Sequence, residues 1–324
     1  MSGRITFCGT SLPFEQGETV LDCLLRHGQS VASSCRSGVC QSCMVQGQGT
    51  VPAAAQRGLK PSLIPRGFFL ACQCAAEDGL EITSAESLPA FASQVISATL
   101  LSPGVYRVLV ERPLGLEFRA GQFLNVTRPL DGLTRSYSVA SLPGEDQIEF
   151  HVALLPGGRM GSYLCEIPGA RLSLRGPAGD CFYLHDKQDE PLLLAATGTG
   201  LAPLVGIVRS ALDAGHRGPI HLFHGAREAT ALYLSADLRA LQARHDGFNY
   251  YENVLMPAAE PVEVSSKPPA DLLRQVKDIL PSLSGFRIYL CGHPEFVQKM
   301  RKQCFLAGAA MQSIHSDPFV LATQ

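Results

Sequence analysis

The amino-acid sequence predicts an α+β chain of three modules, and three observations along the chain support this. Seven of the eleven cysteines lie at positions 8, 23, 35, 40, 43, 72 and 74, close to one predicted helix. Short apolar segments broken by Gly and Pro follow, which is typical of an antiparallel β-barrel. From residue 190 onward, buried strands alternate with helices, which predicts a parallel α/β sheet. We expect the modules to span residues 1–86, 92–186 and 188–324.

Charge and hydropathy exclude several classes of partner. The 27 Lys and Arg residues are balanced by 29 Asp and Glu residues, so no net basic field attracts nucleic acid or an anionic membrane surface. Gly, Pro or charge interrupts every apolar run before the roughly 18 residues of a membrane-spanning helix. The N-terminal stretch also lacks the apolar core of a signal peptide. We therefore expect a cytoplasmic monomer with small-molecule and protein partners.

The first module is predicted to contain one helix and a closing strand. Apolar residues at helical spacing predict a helix over Glu18–His27, and Gly28 is placed to end it in a left-handed conformation. A strand is predicted over Gly79–Ile82. The hydrophobic periodicity is lost between Ser84 and Ser93, where Pro89 also falls, which predicts a linker.

The most specific pattern in the chain is a set of cysteines. Cys35, Cys40 and Cys43 have the spacing CxxxxCxxC, and Cys72 follows 29 positions after Cys43. This is the plant-type spacing for a [2Fe-2S] cluster. One loop can bring three thiolates together only if its backbone bends sharply, which Gly38 permits through a positive φ. A structural zinc site, the main alternative, usually has two CxxC pairs, and the step from Cys35 to Cys40 does not suit one.

Spacing alone leaves the fourth ligand open. Cys74 lies two positions after Cys72, and side chains two apart on a strand face the same side. The remaining scattered cysteines are expected to be small core residues. They are Cys8, Cys23, Cys165, Cys181 and Cys304.

The second module is expected to be rich in strands and poor in helices. Strands are predicted over Val105–Val110, Gln122–Val126 and Ile148–Leu155. Between the last two strands lies the run Thr134–Ser141, which places a cation, a phenol and several hydroxyls together.

That run has the groups that a flavin nucleotide needs. Arg135 can clamp pyrophosphate oxygens in bidentate fashion, Tyr137 can lie against the ring system, and Ser138 can hydrogen-bond the ring edge, with Ser136 between them. The alternative is an ordinary strand with a surface Arg.

A second segment that suits an anion follows about twenty residues later. Its glycine turn is predicted to open a short helix, whose N-terminus is a ready anion site. The residues are Gly157, Gly158, Arg159, Met160, Gly161 and Ser162. Two phosphate-competent segments therefore flank one barrel.

The third module is predicted to bind a nucleotide at the ends of its strands. The strand Leu192–Ala196 runs into a glycine loop and then into a helix over Leu201–Leu212. Glycines let backbone amides approach phosphate, and a proline in the first turn favours the helix start. The loop differs from the Rossmann GxGxxG pattern, because a proline replaces the third glycine. The residues concerned are Gly198, Thr199, Gly200 and Pro203.

A second loop of the same kind lies farther along the chain. The strand Arg287–Cys291 ends at Gly292, and a helix is predicted over Glu295–Leu306. Two such loops at strand ends outline one crevice. A further strand is predicted over Ile220–His224. The proline-rich stretch Met256–Pro269 is predicted to be a surface loop.

The first module resembles plant-type ferredoxins, and the rest resembles the ferredoxin-NADP reductase superfamily. The quoted motifs are the cysteine spacing, the run RSYS, the glycine helix start and the two nucleotide loops. The resemblance implies a β-grasp ferredoxin domain with Cys72 as fourth ligand, an FAD-binding β-barrel domain, and an NAD(P)-binding α/β domain. It also implies that Cys291 lies at the site of hydride transfer and that Phe319 approaches the flavin.

The nucleotide preference depends on the end of the second strand. Arg227 could meet a 2′-phosphate, whereas Glu228 could bond a free ribose hydroxyl. We expect NADH, with NADPH as the alternative.

The order ferredoxin, flavin, nucleotide is similar to that of the reductases of aromatic-ring dioxygenases such as naphthalene dioxygenase, and favours FAD over FMN. We therefore expect an NAD(P)H:acceptor oxidoreductase that passes electrons through FAD and a [2Fe-2S] cluster to an oxygenase component or a ferredoxin. Reductases of deoxysugar dehydration and of diiron phenol or methane monooxygenases have the same module order and remain alternatives. A redox sensor without catalysis is the alternative from another class. The sequence identifies neither the acceptor nor the redox potentials.

Overall fold

A computed structural model describes residues 3–48, 51–60, 62–85, 89–255 and 270–320. They form two five-stranded sheets and one six-stranded sheet, one for each predicted module. The α+β class, with an antiparallel flavin-type barrel and a parallel nucleotide-type sheet, is confirmed. Within the described ranges, every helix is too short or too polar to span a lipid bilayer.

The first sheet is mixed, with strand order β2-β1-β5-β3-β4. Its only parallel pair is formed by the first and last strands, and one helix packs across it. The elements are β1 (Arg4–Phe7), β2 (Thr10–Pro13), α1 (Val20–Arg26), β3 (Met44–Gln48), β4 (Phe68–Leu70) and β5 (Glu81–Ser84).

The helix of this module begins and ends close to its predicted bounds. Thr19 caps α1 by accepting a hydrogen bond from the Asp22 backbone N–H, and Gly28 follows the helix with φ of 68°. The closing strand β5 begins two residues later than predicted, because Gly79 forms a left-handed turn with φ of 78°. Cys8 also differs from the prediction, since it is exposed in the turn between β1 and β2.

The second sheet is an antiparallel barrel with strand order β10-β7-β6-β11-β8-β9. A bridge between Val139 and Phe150 joins its two edges. The predicted scarcity of helices is confirmed, because the barrel carries a single short α-helix. The elements are β6 (Phe91–Ser102), β7 (Val105–Glu111), β8 (Phe123–Thr127), β9 (Thr134–Ser138), β10 (Gln147–Ala153), α2 (Arg159–Glu166) and β11 (Arg171–Ala178).

The connection into the barrel is shorter than predicted. The strand β6 already begins at Phe91, whereas the linker was expected to reach Ser93. The reason is that Phe91 and Ala92 pair with β11, so their alternation belongs to a strand and not to a linker. Residues 86–88 of the predicted linker lie outside the described residues.

The third sheet is wholly parallel, with strand order β14-β13-β12-β15-β16. Its two faces are covered by different helices, α3 and α4 on one and α5 and α6 on the other. The elements are β12 (Leu192–Thr197), α3 (Leu201–Asp213), β13 (Ile220–Ala226), α4 (Ser235–Arg244), β14 (Phe248–Val254), α5 (Ala270–Ile279), β15 (Arg287–Gly292), α6 (Pro294–Leu306) and β16 (Ile314–Pro318).

Three elements of this module were not predicted, namely α4, β14 and α5. The helix α4 buries only Leu238, so it lacks the apolar stripe by which an amphipathic helix is recognised. Pro203 is the third residue of α3, in the first turn, where its missing N–H has no intrahelical partner to lose. The loop predicted over Met256–Pro269 lies outside the described residues.

Candidate functional site

The cysteine loop between α1 and β3 has an unusual backbone. Gly38 adopts φ of 80°, and the non-glycine residues Arg36 and Gln41 adopt φ of 52° and 55°. A left-handed conformation costs a non-glycine residue about 1–2 kcal/mol, so the loop must be held from outside. Gln41 contributes by donating from its side-chain amide to the Gly58 carbonyl at 2.8 Å. The positive φ expected at Gly38 is found.

The four predicted iron ligands come together as two pairs. Cys35 and Cys40 are hydrogen-bonded through their thiols, and the Cys40 backbone N–H lies 3.3 Å from the Cys35 sulfur. Cys43 and Cys72 form the second pair. No three His, Cys, Asp or Glu side chains of the described ranges converge on one point, as a single metal ion would require. Two pairs suit a cluster of two irons, in which each iron takes two thiolates.

One sulfur of each pair is prepared to be a thiolate. A hydrogen bond from Cys40 lowers the pKa of the Cys35 thiol to about 4, and one from Cys43 lowers that of Cys72 to about 6. Hydrogen bonding to these partners and burial raise the pKa of Cys40 and Cys43. The thiolate is the form of cysteine that binds metal, and Cys35 and Cys72 are the two sulfurs of the site that take this form most readily.

The surroundings of Cys72 distinguish it from Cys74. The Gln73 side-chain amide reaches the Cys72 sulfur at 3.4 Å and the Arg36 carbonyl at 3.3 Å, which ties the fourth position to the loop. The Cys74 sulfur instead faces the Ala75 carbonyl at 3.5 Å. The geometry favours Cys72 as fourth ligand.

In the barrel, β9 presents the run that was predicted to hold a flavin. Arg135 is half-buried and donates to the Thr134 carbonyl at 2.8 Å, so its guanidinium is not committed to a carboxylate there. The Ser136 hydroxyl lies 2.7 Å from Asn125 Oδ1 on β8. The Tyr137 ring lies 5.9 Å from that of Phe150, and burial raises the pKa of its phenol. The run is therefore a partly exposed polar strand over an apolar barrel.

The glycine turn opens α2 as predicted. Gly158 is the N-cap and offers no side-chain oxygen, so the first backbone N–H groups of the helix remain available to an anion. Arg159 pairs with Asp131 at the surface. Met160 points into the barrel core at 3% exposure and can contact a ligand only through its backbone. Ser162 is partly exposed in the same turn.

The two nucleotide loops interlock. A Cβ added to Gly200 would lie 2.4 Å from the Cys291 carbonyl oxygen, and one added to Gly292 would lie 2.4 Å from the Thr197 hydroxyl oxygen. The Thr197 hydroxyl also accepts a hydrogen bond from the His293 backbone N–H at 3.0 Å. The ends of β12 and β15 therefore lie against each other, as two such loops in a parallel sheet predict.

The predicted hydride-transfer residues lie at the same crevice. Cys291 is fully buried, and burial together with the neighbouring Cys181 thiol raises the pKa of its own thiol. Phe319 is joined to Gly292 by a backbone hydrogen bond of 2.7 Å. The end of β16 therefore reaches the strand end that carries Cys291.

Arg227 and Glu228 lie at the next strand end. Arg227 is half-buried and Glu228 is exposed, directly after β13. This position agrees with either of the two nucleotide contacts considered from the sequence.

Sequence reasoning missed two residues of the site, Asp317 and Cys181. The Ser138 hydroxyl lies 3.0 Å from Asp317 Oδ2, which joins the flavin strand β9 to β16. Burial of the carboxyl raises the pKa of Asp317 to about 6, although the residue as a whole keeps some exposed surface. Asp317 lies two positions before Phe319, and side chains two apart on a strand face the same side. This spacing was the available sequence signal for Asp317. No sequence signal marked Cys181, because its contact with Cys291 spans two modules.

A cavity of about 380 Å³ connects these regions. Its lining includes Gly38 of the cysteine loop, Gln73 beside Cys72, Cys181 after β11 and Asp317 of β16. Residues of all three modules therefore line one space.

Comparison with protein families agrees with this arrangement. Residues 5–77 match the 2Fe-2S iron-sulfur cluster binding domain, residues 93–183 the oxidoreductase FAD-binding domain, and residues 194–302 the oxidoreductase NAD-binding domain. The ferredoxin–NAD(P)(+) reductase component of the naphthalene 1,2-dioxygenase system of Pseudomonas putida is 32% identical over 322 residues, which cover 95% of each chain. The chain belongs to the family of ferredoxin–NAD(P)(+) reductase components. It is an oxidoreductase that carries electrons from NAD(P)H through FAD to a [2Fe-2S] cluster.

Other relatives of this reductase span its whole length. The reductase subunit of the aromatic O-demethylase of Amycolatopsis is 30% identical over 100% of both chains. The crystal structure of a cytochrome P450 reductase from Amycolatopsis superposes with a TM-score of 0.67 at 29% identity, covering 98% of this chain and 99% of that one. The ferredoxin reductase in carbazole 1,9a-dioxygenase, with a TM-score of 0.65 at 24% identity and 98% coverage of both chains, shares the fold.

Proposed function

We propose that this reductase supplies single electrons to the oxygenase component of an aromatic-ring oxygenase system, in the cytoplasm and as a monomer. The observation that carries the proposal is the 380 Å³ cavity, because residues of the cysteine loop and of β16 line it together. The naphthalene dioxygenase component of Pseudomonas putida and its Ralstonia relative, 30% identical over 315 residues, support an aromatic-ring dioxygenase as acceptor.

The roles proposed for the residues follow the three modules, taken as 1–86, 92–186 and 188–324. Cys35, Cys40, Cys43 and Cys72 hold the cluster. The run Arg135–Ser138 and the helix start at residues 157–162 hold FAD. The glycine loop 198–200 with Pro203, together with Gly292 and Arg227, holds the pyridine nucleotide. Cys291 and Phe319 border the site of hydride transfer.

When bound, FAD accepts two electrons as hydride and releases them singly, which the one-electron cluster requires. The protein must therefore orient the nicotinamide and manage one proton. The close contact between the loops at Gly200 and Gly292 sets the position in which the nucleotide binds. Asp317, with its raised pKa and its contact with Ser138, is the group placed to hold a proton beside the flavin strand.

A reconstitution experiment tests the choice of acceptor. The purified reductase is mixed with NADH and, in parallel, with the oxygenase components of a ring-hydroxylating dioxygenase, a diiron monooxygenase and a cytochrome P450. We expect oxidation of an aromatic substrate coupled to NADH consumption with the dioxygenase component. Coupling only with one of the other two components would overturn the proposed acceptor but leave the electron path intact.

A further inference from the structure

A buried polar cluster lies between the barrel and the nucleotide module, and the chemistry above does not use it. We call it the interface cluster; its core is Glu149 and His151 of β10 together with Tyr233 and His224 of the nucleotide module. His151, Tyr233 and His224 are 5%, 1% and 0% exposed. Buried polar groups of this kind are expensive unless they are hydrogen-bonded, so their arrangement has a cause.

His151 uses one ring nitrogen within the barrel and the other to reach the nucleotide module. Its Nε2 lies 2.8 Å from Glu149 Oε1, and its Nδ1 lies 3.1 Å from the Tyr233 hydroxyl oxygen. Glu149 is held in turn by Arg107, whose Nε donates to Oε1 at 3.0 Å. An ionised carboxylate only accepts, so Nε2 of His151 carries a hydrogen and donates to Glu149. The strand of the barrel is thereby fastened to a single phenol of the other module.

The alternation along β10 explains why His151 faces the nucleotide module. Ile148, Phe150 and Val152 point into the barrel core, so Glu149 and His151 point outward. The strand β10 also approaches the turn Gly198–Gly200. The interface cluster therefore lies close to the glycine loop.

Tyr233, which follows β13, lies between His151 and a second histidine near the glycine loop. Its ring meets His151 edge-on at 5.2 Å and His224 edge-on at 5.5 Å. His224 pairs in register with Ala196 of β12, two residues before Gly198. Burial lowers the pKa of His224 to about 4, so it is neutral at physiological pH, and its Nδ1 lies 3.4 Å from the Tyr250 hydroxyl oxygen.

We infer that His151 is a positioning residue for hydride transfer, acting through Tyr233. The pair sets the height of the glycine loop over the flavin strand, and so the distance between nicotinamide and flavin. This inference rests on the proposed roles of Arg135–Ser138 and of the glycine loop. Near-attack geometry requires reacting atoms about 3–3.5 Å apart, and a misplacement of about 1 Å can reduce a rate about a hundredfold.

The test uses Tyr233→Phe, which removes the hydroxyl but keeps the ring in its packed position. The chain offers a matched control in Tyr183→Phe, because Tyr183 is 2% exposed and its hydroxyl also lies 3.1 Å from a histidine nitrogen, Nδ1 of His216. Both variants lose one buried Tyr–His hydrogen bond. They are compared as FAD-loaded proteins by anaerobic stopped-flow reduction with NADH and NADH deuterated at C4.

For Tyr233→Phe we expect the limiting rate of flavin reduction to fall about tenfold or more, with unchanged FAD content and a deuterium isotope effect at least as large as in the original protein. Tyr183→Phe should keep the original rate, even if its melting temperature falls equally. Unchanged flavin reduction in Tyr233→Phe, or an equal loss in both variants, would overturn the inference.

His151 itself is tested by two substitutions that divide its contacts. The Gln amide of His151→Gln can replace Nε2 but not Nδ1, whereas the Asn amide of His151→Asn can replace Nδ1 but not Nε2. The inference predicts that His151→Gln slows flavin reduction as much as Tyr233→Phe does. It also predicts that the double variant, His151→Gln with Tyr233→Phe, reduces its flavin no more slowly than either single variant. Additive losses in the double variant would contradict a shared path. Failure of the original protein to reduce its flavin with NADH would instead contradict the proposed function.

Discussion

The cysteine loop and the pair of nucleotide loops bind their groups by different means. The cysteine loop is a strained segment, with Arg36 and Gln41 held at positive φ, and three of the proposed iron ligands follow from its sequence spacing. The nucleotide loops meet across about ninety positions, with Gly200 pressed against Cys291 and Gly292 against Thr197. The cysteine loop needs four cysteine sulfurs. The nucleotide loops instead need glycine at Gly200 and Gly292, since a Cβ at either position would clash with the facing loop.

The largest effect is expected from a substitution that prevents cluster assembly and leaves the nucleotide loops unchanged. Cys40→Ser removes one sulfur of the Cys35 pair, so the cluster should not assemble. Reduction of one-electron protein acceptors such as cytochrome c should then fall to background, while NADH-dependent reduction of ferricyanide continues from the flavin. Both activities are measured on the same preparation, by following the absorbance of each acceptor over time.

Cys8→Ser is the control for this prediction, because Cys8 is exposed and lies outside the loop. It should retain both activities. Loss of both activities in Cys40→Ser would show that the two regions are not separable.

The next largest effect is expected from a substitution that impairs nucleotide binding and leaves the cysteine loop unchanged. Gly200→Ala places a methyl group 2.4 Å from the Cys291 carbonyl, which must move the loops apart. Overpacking of this kind costs about 1–3 kcal/mol, and the KM for NADH should rise while the iron content stays unchanged. Urea unfolding and steady-state kinetics measure the two consequences.

Gly198→Ala is the matched change in the same turn. Gly198 has φ of 55° but open space around its Cβ position, so only backbone strain of about 1–2 kcal/mol is expected. If the two alanine variants had the same KM for NADH, close approach of the loops would not be the reason for Gly200.

The smallest effect concerns Asp317, which lies between the two regions. Burial raises its pKa from 3.8 to about 6, so the folded state binds a proton that the unfolded state releases. By linkage, the ionised carboxyl lowers stability as pH rises from about 4 to about 6, and the penalty persists above that range. Asp317→Asn should therefore melt at a higher temperature than the original protein at pH 7, and at nearly the same temperature at pH 4.

This comparison is made on flavin-free protein by thermal melting across that pH range. A melting difference that is constant with pH would mean that the Asp317 carboxyl is not buried. Ser138→Ala extends the test, because its hydrogen bond lowers the pKa of Asp317 and its loss should carry the fall in stability to higher pH.

The two regions also differ in how far the sequence alone revealed them. The spacing of three cysteines on one loop predicted a cluster site, the resemblance to ferredoxins supplied the proposed fourth ligand, and the order of strands and glycine loops predicted the three modules. The contacts Ser138–Asp317, Cys181–Cys291 and His151–Tyr233 could not be predicted, because each joins residues from different modules. The polar helix α4 was missed for a local reason, since only Leu238 is buried and no apolar stripe forms.

The central claim is that one chain connects NADH, FAD and a [2Fe-2S] cluster in series. Anaerobic titration of the purified protein with NADH, followed by visible absorbance and electron paramagnetic resonance, tests it most directly. The account predicts two iron atoms and one FAD per chain, bleaching of the flavin, and one unpaired spin per chain from the reduced cluster. Bleaching of the flavin with no cluster signal, in protein that contains its iron, would contradict it.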